Sequence, residues 1–300
     1  MKEYSKRLSR PDKQNLSAFR LTDRDYQILI AVYKYRLLTS VQVRRLIFPN
    51  LKSVNRTNIR LKKLYHHGYL DRIEQPTRNS GLMNMPLIYV LDELGAKLIR
   101  DREGLSKLDW KSTNNDIGLL FLEHMKLVND FRIGIELASK KHGYQILKHI
   151  TEAELKRLHE YPLSYTDENG KQKKSRLIPD GYYLIEDDNG DVVNYFVEID
   201  RATETVRSEK SYRSFTTKIL LYRAFLESGE FTKMYGAPNF RVLVVTIGDT
   251  RVENLIWSTE QIENADFFCF TTLNYLNQSN IFEDKIWGIA NEEELFSLID

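Results

Sequence analysis

Apolar and polar residues in the first third of the chain follow helical spacing between short capping motifs. Thr22 begins a capping box, and the apolar residues after it recur at the spacing of one helix face. Thr39 begins a second, shorter helix with a Thr-x-x-Gln cap. Ser53 is the expected cap of a third helix over residues 54–67, which ends at Gly68. The pattern predicts three consecutive helices.

Two β-prone segments follow these helices, at residues 69–74 and 87–91, with a polar loop between them. A further helix is predicted to begin at Asp92. Three helices followed by a two-stranded ribbon are typical of a winged helix-turn-helix. We therefore predict a winged helix in the first part of the chain.

The rest of the chain alternates helices and strands, as α/β domains do. A long amphipathic helix is predicted over 117–141, and the polar segment 166–174 is predicted to be a loop. Two strands at 177–185 and 192–200 are predicted to form a hairpin around the turn at 187–190.

A helix over 205–226 and a strand over 240–246 complete the predicted core. The strand is almost entirely apolar, so we expect it to be buried on both faces. The order helix, strand, strand, helix, strand is that of the PD-(D/E)XK nuclease fold. The predicted fold class is α/β overall, with an N-terminal winged helix-turn-helix and a C-terminal αββαβ PD-(D/E)XK nuclease-like domain. The predicted divisions are a basic arm at 1–20, a winged helix DNA-binding domain at 21–104, a linker at 105–116 and a PD-(D/E)XK-like domain at 117–300.

Charge is distributed unevenly along the chain, although the formal net charge is only +2. Residues 1–110 hold 22 Lys and Arg against 11 Asp and Glu, whereas residues 111–300 hold 22 against 31. A basic region of this kind is typical of a polyanion binder. The predicted partner is double-stranded DNA.

The third helix is the predicted recognition helix, because Arg and Asn can hydrogen-bond to base edges and Lys can neutralise phosphates. Its apolar side is assigned to Ile59, Leu61, Leu64 and Tyr65. A solvated basic helix in a protein-binding domain is the open alternative. The residues expected to contact DNA are Asn55, Arg56, Asn58, Arg60, Lys62 and Lys63, with Arg78 in the following loop.

The apolar segments are too short to cross a bilayer, and the N-terminus lacks a hydrophobic signal segment. The single cysteine, Cys269, lies in an apolar run and cannot form an internal disulfide. These features predict a cytoplasmic protein with no membrane partner.

Three carboxylates interrupt the predicted hairpin. Asp180 follows Pro179 at the start of its first strand, and Glu198 and Asp200 share one face of its second strand because they are two residues apart. Hard cations prefer carboxylate oxygens, so these acids predict a Mg²⁺ or Mn²⁺ site.

A structural role for the same acids stays open at the level of sequence. Asp180 can cap a turn after Pro179. Glu198 and Asp200 can form ion pairs, for which the available cations are Arg201, Arg207 and Lys218.

Several motifs resemble the replication-relaxation family of bacterial plasmids and other mobile elements. They are Leu-Glu-His-Met-Lys-Leu-Val-Asn-Asp at 122–130, Pro-Asp-Gly at 179–181, Glu-Ile-Asp-Arg-Ala-Thr-Glu at 198–204 and Lys-Ile-Leu-Leu-Tyr at 218–222. The resemblance extends from about residue 20 to 250, and its most specific part is the Pro-Asp…Glu-x-Asp-Arg-x-Thr-Glu block. It implies DNA binding in replication initiation or in DNA relaxation and transfer, with replication or transfer proteins as further partners.

Carried over to this chain, the resemblance implies that Asp180 and Glu198 form the metal-binding and catalytic pair. Glu152 corresponds to the acid that precedes the hairpin. A standard PD-(D/E)XK site has lysine two residues after the second acid, and Asp200 occupies that position here. Either Lys218 supplies the catalytic lysine from the following helix, or Asp200 adds a metal ligand.

Two classes of function therefore stay open. In the first, the protein binds DNA and nicks it with a metal ion. In the second, it is a winged-helix transcriptional regulator whose inactive nuclease-like domain serves dimerisation, ligand binding or partner binding. A homodimer would bind two half-sites, but the sequence does not fix the oligomeric state.

Overall fold

The computed structural model describes residues 10, 16, 18–51, 53–73, 87–201 and 215–299. The chain divides into two compact units, residues 1–133 and 134–300. Helices and several β-sheets occur together, so the prediction of a mixed α/β protein is confirmed. The boundary between these units in the sequence falls after residue 133, and the predicted domain bounds stay a prediction.

The first unit contains four helices and a small sheet in its described part. The helices are α1 (Asp23–Tyr35), α2 (Ser40–Ile47), α3 (Asn55–His66) and α4 (Glu93–Arg102). The strands are β1 (Leu37–Thr39), β2 (Leu70–Ile73) and β3 (Ile88–Leu91), in the antiparallel order β1–β3–β2. The long helix α5 (Leu119–His142) begins in this unit.

Two of the predicted helix starts are confirmed in detail. Thr22 and Asp25 form a reciprocal capping box at the start of α1, and Thr39 and Gln42 form another at the start of α2. At α3, Val54 occupies the N-cap position, and Ser53 Oγ accepts a hydrogen bond from Asn55 N at 3.2 Å. The caps thus set where α1 and α2 begin, whereas the prediction of Ser53 as the N-cap of α3 is wrong by one residue.

The second unit is built on a six-stranded mixed sheet and a separate hairpin. Its strands are β4 (Gln145–Thr151), β5 (Leu163–Thr166), β6 (Gln172–Ser175), β7 (Gly181–Glu186), β8 (Val192–Ile199), β9 (Arg241–Thr246), β10 (Phe268–Thr272) and β11 (Gly288–Ile289). Its further helices are α6 (Glu152–Leu158), α7 (Phe215–Glu227), α8 (Glu230–Tyr235), α9 (Asp249–Glu260) and α10 (Leu273–Gln278).

The large sheet has the strand order β11–β10–β9–β8–β7–β4. Strands β4, β7 and β8 are antiparallel, whereas β8, β9 and β10 are parallel. The four central residues of β9, Val242 to Val245, are fully buried, which confirms the predicted burial on both faces. Helix α7 packs its aromatic residues, including Phe215 and Phe225, into the same core.

The predicted loop over 166–174 is too long. Residues 167–171 form the turn, whereas Thr166 and residues 172–174 belong to the strands of the β5–β6 hairpin, in which Leu163 pairs with Ser175 and Thr166 pairs with Gln172. Residues 166–174 include no apolar side chain, so this part of the sequence lacks the apolar alternation that identifies a strand.

Across the part of the chain that the structure describes, the helices are too short or too polar to cross a membrane.

Candidate metal centre and nucleic-acid interface

The β7–β8 register brings two of the predicted metal ligands side by side. Gly181 lies opposite Val197, so Asp180 is at the level of Glu198. Asp180 N donates a hydrogen bond to Val197 O at 3.0 Å, and Ile199 N donates one to Asp180 Oδ2 at 2.7 Å. The Asp180 carboxylate is thereby held against β8 next to the second acid.

Glu198 is buried and has two hydrogen-bond partners on α7. Lys218 Nζ donates to Glu198 Oε2 at 3.0 Å, and Tyr222 OH donates to Glu198 Oε1 at 2.8 Å. Lys218 and Tyr222 are four residues apart, so they lie on the same face of the helix. The structure therefore brings together Asp180, Glu198 and Lys218, the three predicted catalytic residues.

The pKa of the Glu198 carboxyl is raised to about 7, chiefly by burial. The negative charge of Asp180 contributes to this increase, whereas Lys218 and the hydrogen bond from Tyr222 oppose it. Burial and the charge of Glu198 also hold the pKa of Tyr222 well above its usual value. Tyr222 therefore stays a hydrogen-bond donor at neutral pH, and its role in fixing Glu198 was not identified from the sequence.

Glu152 lies in the first turn of α6, where its carboxylate approaches that of Asp180. One of its carboxylate oxygens lies within 4.8 Å of one from Asp180. Its other contact is an ion pair with Lys156, one turn along the helix. The capping box of Thr151 and Glu154 fixes the start of α6 and so the position of Glu152.

Asp200 is held differently from the other three acids. Arg251 donates from Nε to Asp200 Oδ2 at 2.8 Å and from Nη2 to Asp200 Oδ1 at 2.9 Å. Thr246 Oγ1 also donates to Oδ2 at 2.8 Å. The carboxylate is thus bound by a bidentate, nearly buried ion pair, and Arg251 is not among the partners that the sequence suggested. Arg207, one of those suggested partners, lies outside the described residues.

The predicted DNA-contacting residues of α3 divide into three sets. The side chains of Asn55, Arg56 and Lys62 are exposed, and those of Asn58 and Lys63 are half-buried. Arg60 instead forms an ion pair with the fully buried Asp25 of α1. Arg78 lies outside the described residues.

Arg60 fastens α3 to the start of α1. Its guanidinium also donates to Arg20 O at 2.8 Å and lies 4.6 Å from the ring centroid of Phe19. Burial tends to raise the pKa of Asp25, but hydrogen bonds from Arg60 and Thr22 outweigh it and lower the pKa. These contacts give Arg60 a structural role within the first unit.

The assignment of Ile59 to the apolar side of α3 is wrong. Its side chain is 60% exposed, whereas Leu61, Leu64 and Tyr65 are buried as predicted. Ile59 is two and five residues from Leu61 and Leu64, and neither separation places residues on one helix face.

Comparison with known proteins identifies the chain through one family model. The model described as Replication-relaxation matches residues 29–239. The chain belongs to the replication-relaxation family. The curated proteins and the solved structures gave no match. The resemblance expected from the sequence is thus confirmed, and it associates this replication-relaxation protein with replication or relaxation of the DNA of mobile elements.

When a chelator keeps metal ions away from the site, the raised pKa of Glu198 should make the stability of this replication-relaxation protein depend on pH. The folded state binds the Glu198 proton more tightly than the unfolded chain does. Protonation of Glu198 therefore stabilises the fold below about pH 4.5, and this contribution is lost as the pH rises through about 7. Glu198→Gln should remove that component. Urea unfolding of both proteins would measure it.

The relevant quantity is the difference in unfolding free energy between wild type and Glu198→Gln, because titrating groups that do not contact Glu198 cancel in it. Between pH 4.5 and 8, we expect the wild type to lose roughly 3 kcal/mol of unfolding free energy relative to Glu198→Gln. A difference that does not change with pH would contradict the burial of a titrating carboxyl at this position.

Proposed function

We propose that this chain is a sequence-specific DNA-binding protein of a plasmid or other mobile element that also nicks DNA with a bound Mg²⁺ or Mn²⁺. It would act in replication initiation or in DNA relaxation and transfer. The first unit would bind the DNA as a winged helix, and the second would cleave it as a PD-(D/E)XK-like domain. Homodimerisation and replication or transfer proteins as partners stay predictions.

The order of elements in the first unit supports the winged-helix assignment. Helices α1, α2 and α3 are followed by strands β2 and β3, which pair in an antiparallel ribbon. Helix α3 is the last of the three and carries exposed Asn55, Arg56 and Lys62. A recognition helix in the major groove needs such donors for base edges and phosphates.

The order of elements in the second unit supports the nuclease-like assignment. The β7–β8 hairpin is followed by α7 and then by β9, which pairs with β8 in parallel. Asp180 stands just before β7 and Glu198 lies near the end of β8, and α7 supplies Lys218. The basic residue that is missing two positions after Glu198 would thus come from the helix.

The donor set fits a hard divalent cation. Asp180 and Glu152 bring carboxylate oxygens within 4.8 Å of each other, and hard cations prefer such ligands. Glu198 is close enough to Asp180 for that negative charge to be one cause of its raised pKa. Asp180, Glu198 and Glu152 would hold the cation, and Asp200 would support the strand through Arg251. When bound, Mg²⁺ or Mn²⁺ would offset the negative charge that develops on the phosphoryl oxygens during cleavage.

Neighbouring groups of the protein would hold the two carboxylates in place and orient the reacting groups. Tyr222 holds one oxygen of Glu198, and Ile199 N holds one oxygen of Asp180. Lys218 is half-buried beside Glu198, where its ammonium group could orient a water molecule or donate to a phosphate oxygen. The 3.0 Å contact between Lys218 and Glu198 is the single observation that carries the nuclease proposal.

Incubation of supercoiled plasmid with the protein in Mn²⁺, Mg²⁺ or chelator tests this proposal. Open-circular product is expected in either metal and not in chelator. Specific gel shifts should persist in chelator, because α3 needs no cation. Specific DNA binding without nicking in any metal would contradict the enzymatic part of the proposal.

The DNA-binding part predicts a defined electrostatic effect at Lys62. Lys62→Ala should weaken binding to all duplexes about equally and reduce the slope of log affinity against log salt by about 1. Lys97→Ala, at an exposed lysine of α4, is the matched control and should leave the slope unchanged. Equal effects of the two substitutions would argue against α3 as the contacting helix.

The second candidate function is a winged-helix transcriptional regulator with an inactive nuclease-like domain. Both oxygens of Glu198 already have partners in Lys218 and Tyr222, an arrangement that is satisfied without a cation. A cleft of about 450 Å³ lined in part by Tyr161 and Phe225 could hold an effector. Promoter binding that responds to a small molecule, without nicking, would favour this function.

A further inference from the structure

One large aliphatic side chain lies on the solvent side of the proposed recognition helix. Ile59 is 60% exposed, whereas Thr57, Leu61 and Leu64 on the opposite side of α3 are fully buried. Ile59 therefore does not pack in the core of this unit. Single exposed aliphatic residues are common on protein surfaces, so the neighbours of Ile59 decide whether its position is informative.

The neighbours of Ile59 on α3 are polar or basic. Residues three, four and seven positions apart share one face of a helix. For Ile59, these positions are occupied by Asn55, Arg56, Lys62, Lys63 and His66. Ile59 is thus at the centre of the face that carries most of the predicted DNA-contacting residues.

The chemistry of this face fits one apolar feature of DNA. In the major groove, base pairs present hydrogen-bond donors and acceptors, and thymine adds its C5-methyl group. An aliphatic side chain can pack on that methyl, while Lys62 and Lys63 neutralise phosphates and Asn55 and Arg56 reach base edges. Charge complementarity makes DNA the partner that this face favours.

We propose that Ile59 is a specificity-determining residue that packs on a thymine C5-methyl group in the major groove. This inference rests on the proposed DNA-binding function. It adds a defined preference, for a T·A pair over the same pair without its methyl group, at one position of the target site.

The full-length protein and a random-sequence duplex library provide the test. After selection, each dT of the enriched duplex is replaced singly by dU, which removes only the methyl group, and the Kd is measured by fluorescence anisotropy. We expect one replacement to weaken wild-type binding about fourfold, since burial of one methyl group accounts for a factor of that size.

Variants at Ile59 assign the effect to this side chain. Ile59→Ala should bind the dT and dU duplexes equally, and Ile59→Ser should do the same. Both should melt at nearly the wild-type temperature, because the side chain is exposed. Ile59→Val, which keeps a branched side chain, should retain most of the preference for dT.

Each other outcome overturns a different statement. Specific binding with no sensitivity to dU at any position overturns the role of Ile59 but leaves the DNA-binding proposal intact. A dU penalty that persists in Ile59→Ala assigns the methyl contact to another residue. Failure to enrich any sequence overturns the DNA-binding proposal itself. A change in oligomeric state in Ile59→Ala, with unchanged DNA affinity, would make this face a contact between copies.

Discussion

Lys218→Ala is expected to lower the rate of metal-dependent DNA nicking by roughly 10²–10³-fold. The reason is that Lys218 is the cation placed beside Glu198, at 3.0 Å from Oε2. Its removal would withdraw positive charge from the place where negative charge develops on the phosphate. Single-turnover nicking of supercoiled plasmid in Mn²⁺ would measure the loss.

Metal binding and a second lysine variant provide the controls for this prediction. Lys218→Ala should bind Mn²⁺ at least as tightly as the wild type, because lysine is not a ligand and its positive charge opposes a cation. Lys140→Ala, at an exposed lysine of α5, should nick like the wild type. Lys218→Ala nicking at the wild-type rate would remove Lys218 from the mechanism.

Asp200→Ala is expected to lower the free energy of unfolding by about 3–5 kcal/mol, the second large effect. Asp200 and Arg251 form a nearly buried bidentate pair, and Thr246 adds a further hydrogen bond. The substitution would leave the Arg251 guanidinium with little access to water and without its counter-charge. Urea unfolding in chelator would measure the loss without interference from metal binding.

An ion pair whose lysine is exposed gives the comparison. Lys140 and Glu136 lie four residues apart on α5, and the lysine side chain is 67% exposed. Glu136→Ala should cost less than about 1 kcal/mol, because solvent screens such pairs. If Asp200→Ala cost as little as Glu136→Ala, the pair with Arg251 would not anchor β8 as we describe.

Features that depend on nearby residues could be predicted from the sequence. The capping boxes at Thr22 and Thr39 each join residues three positions apart. The approach of Asp180 to Glu198 follows from the register of a single hairpin. In such cases the sequence contains both the interacting residues and the spacing that brings them together.

Features that depend on distant residues could not be predicted. Arg251 is 51 residues from Asp200, and Arg60 is 35 residues from Asp25. The partners of these acids depend on how helices and strands pack together. The periodicity of apolar residues along the sequence contains no information about that packing. Strand β1 is only three residues long, too short for an alternating pattern to identify it.

Ile59 is a different case, because the sequence did contain the signal. Buried Thr57, Leu61, Leu64 and Tyr65 share one helical face, and the spacing of Ile59 from Leu61 and Leu64 excludes it from that face. The assignment used its apolar side chain and overlooked its position on the helix. Its exposure is what makes it informative for DNA recognition.

A crystal of the protein soaked in Mn²⁺ tests the central claim most directly, by anomalous diffraction. We predict an anomalous peak bonded to carboxylate oxygens of Asp180 and Glu198, at about 2.1 Å, a distance typical of hard divalent ions. The peak should be absent in Asp180→Asn soaked under the same conditions. A wild-type crystal at saturating Mn²⁺ with no peak at these acids, and with Glu198 still bound to Lys218 and Tyr222, would contradict the metal centre.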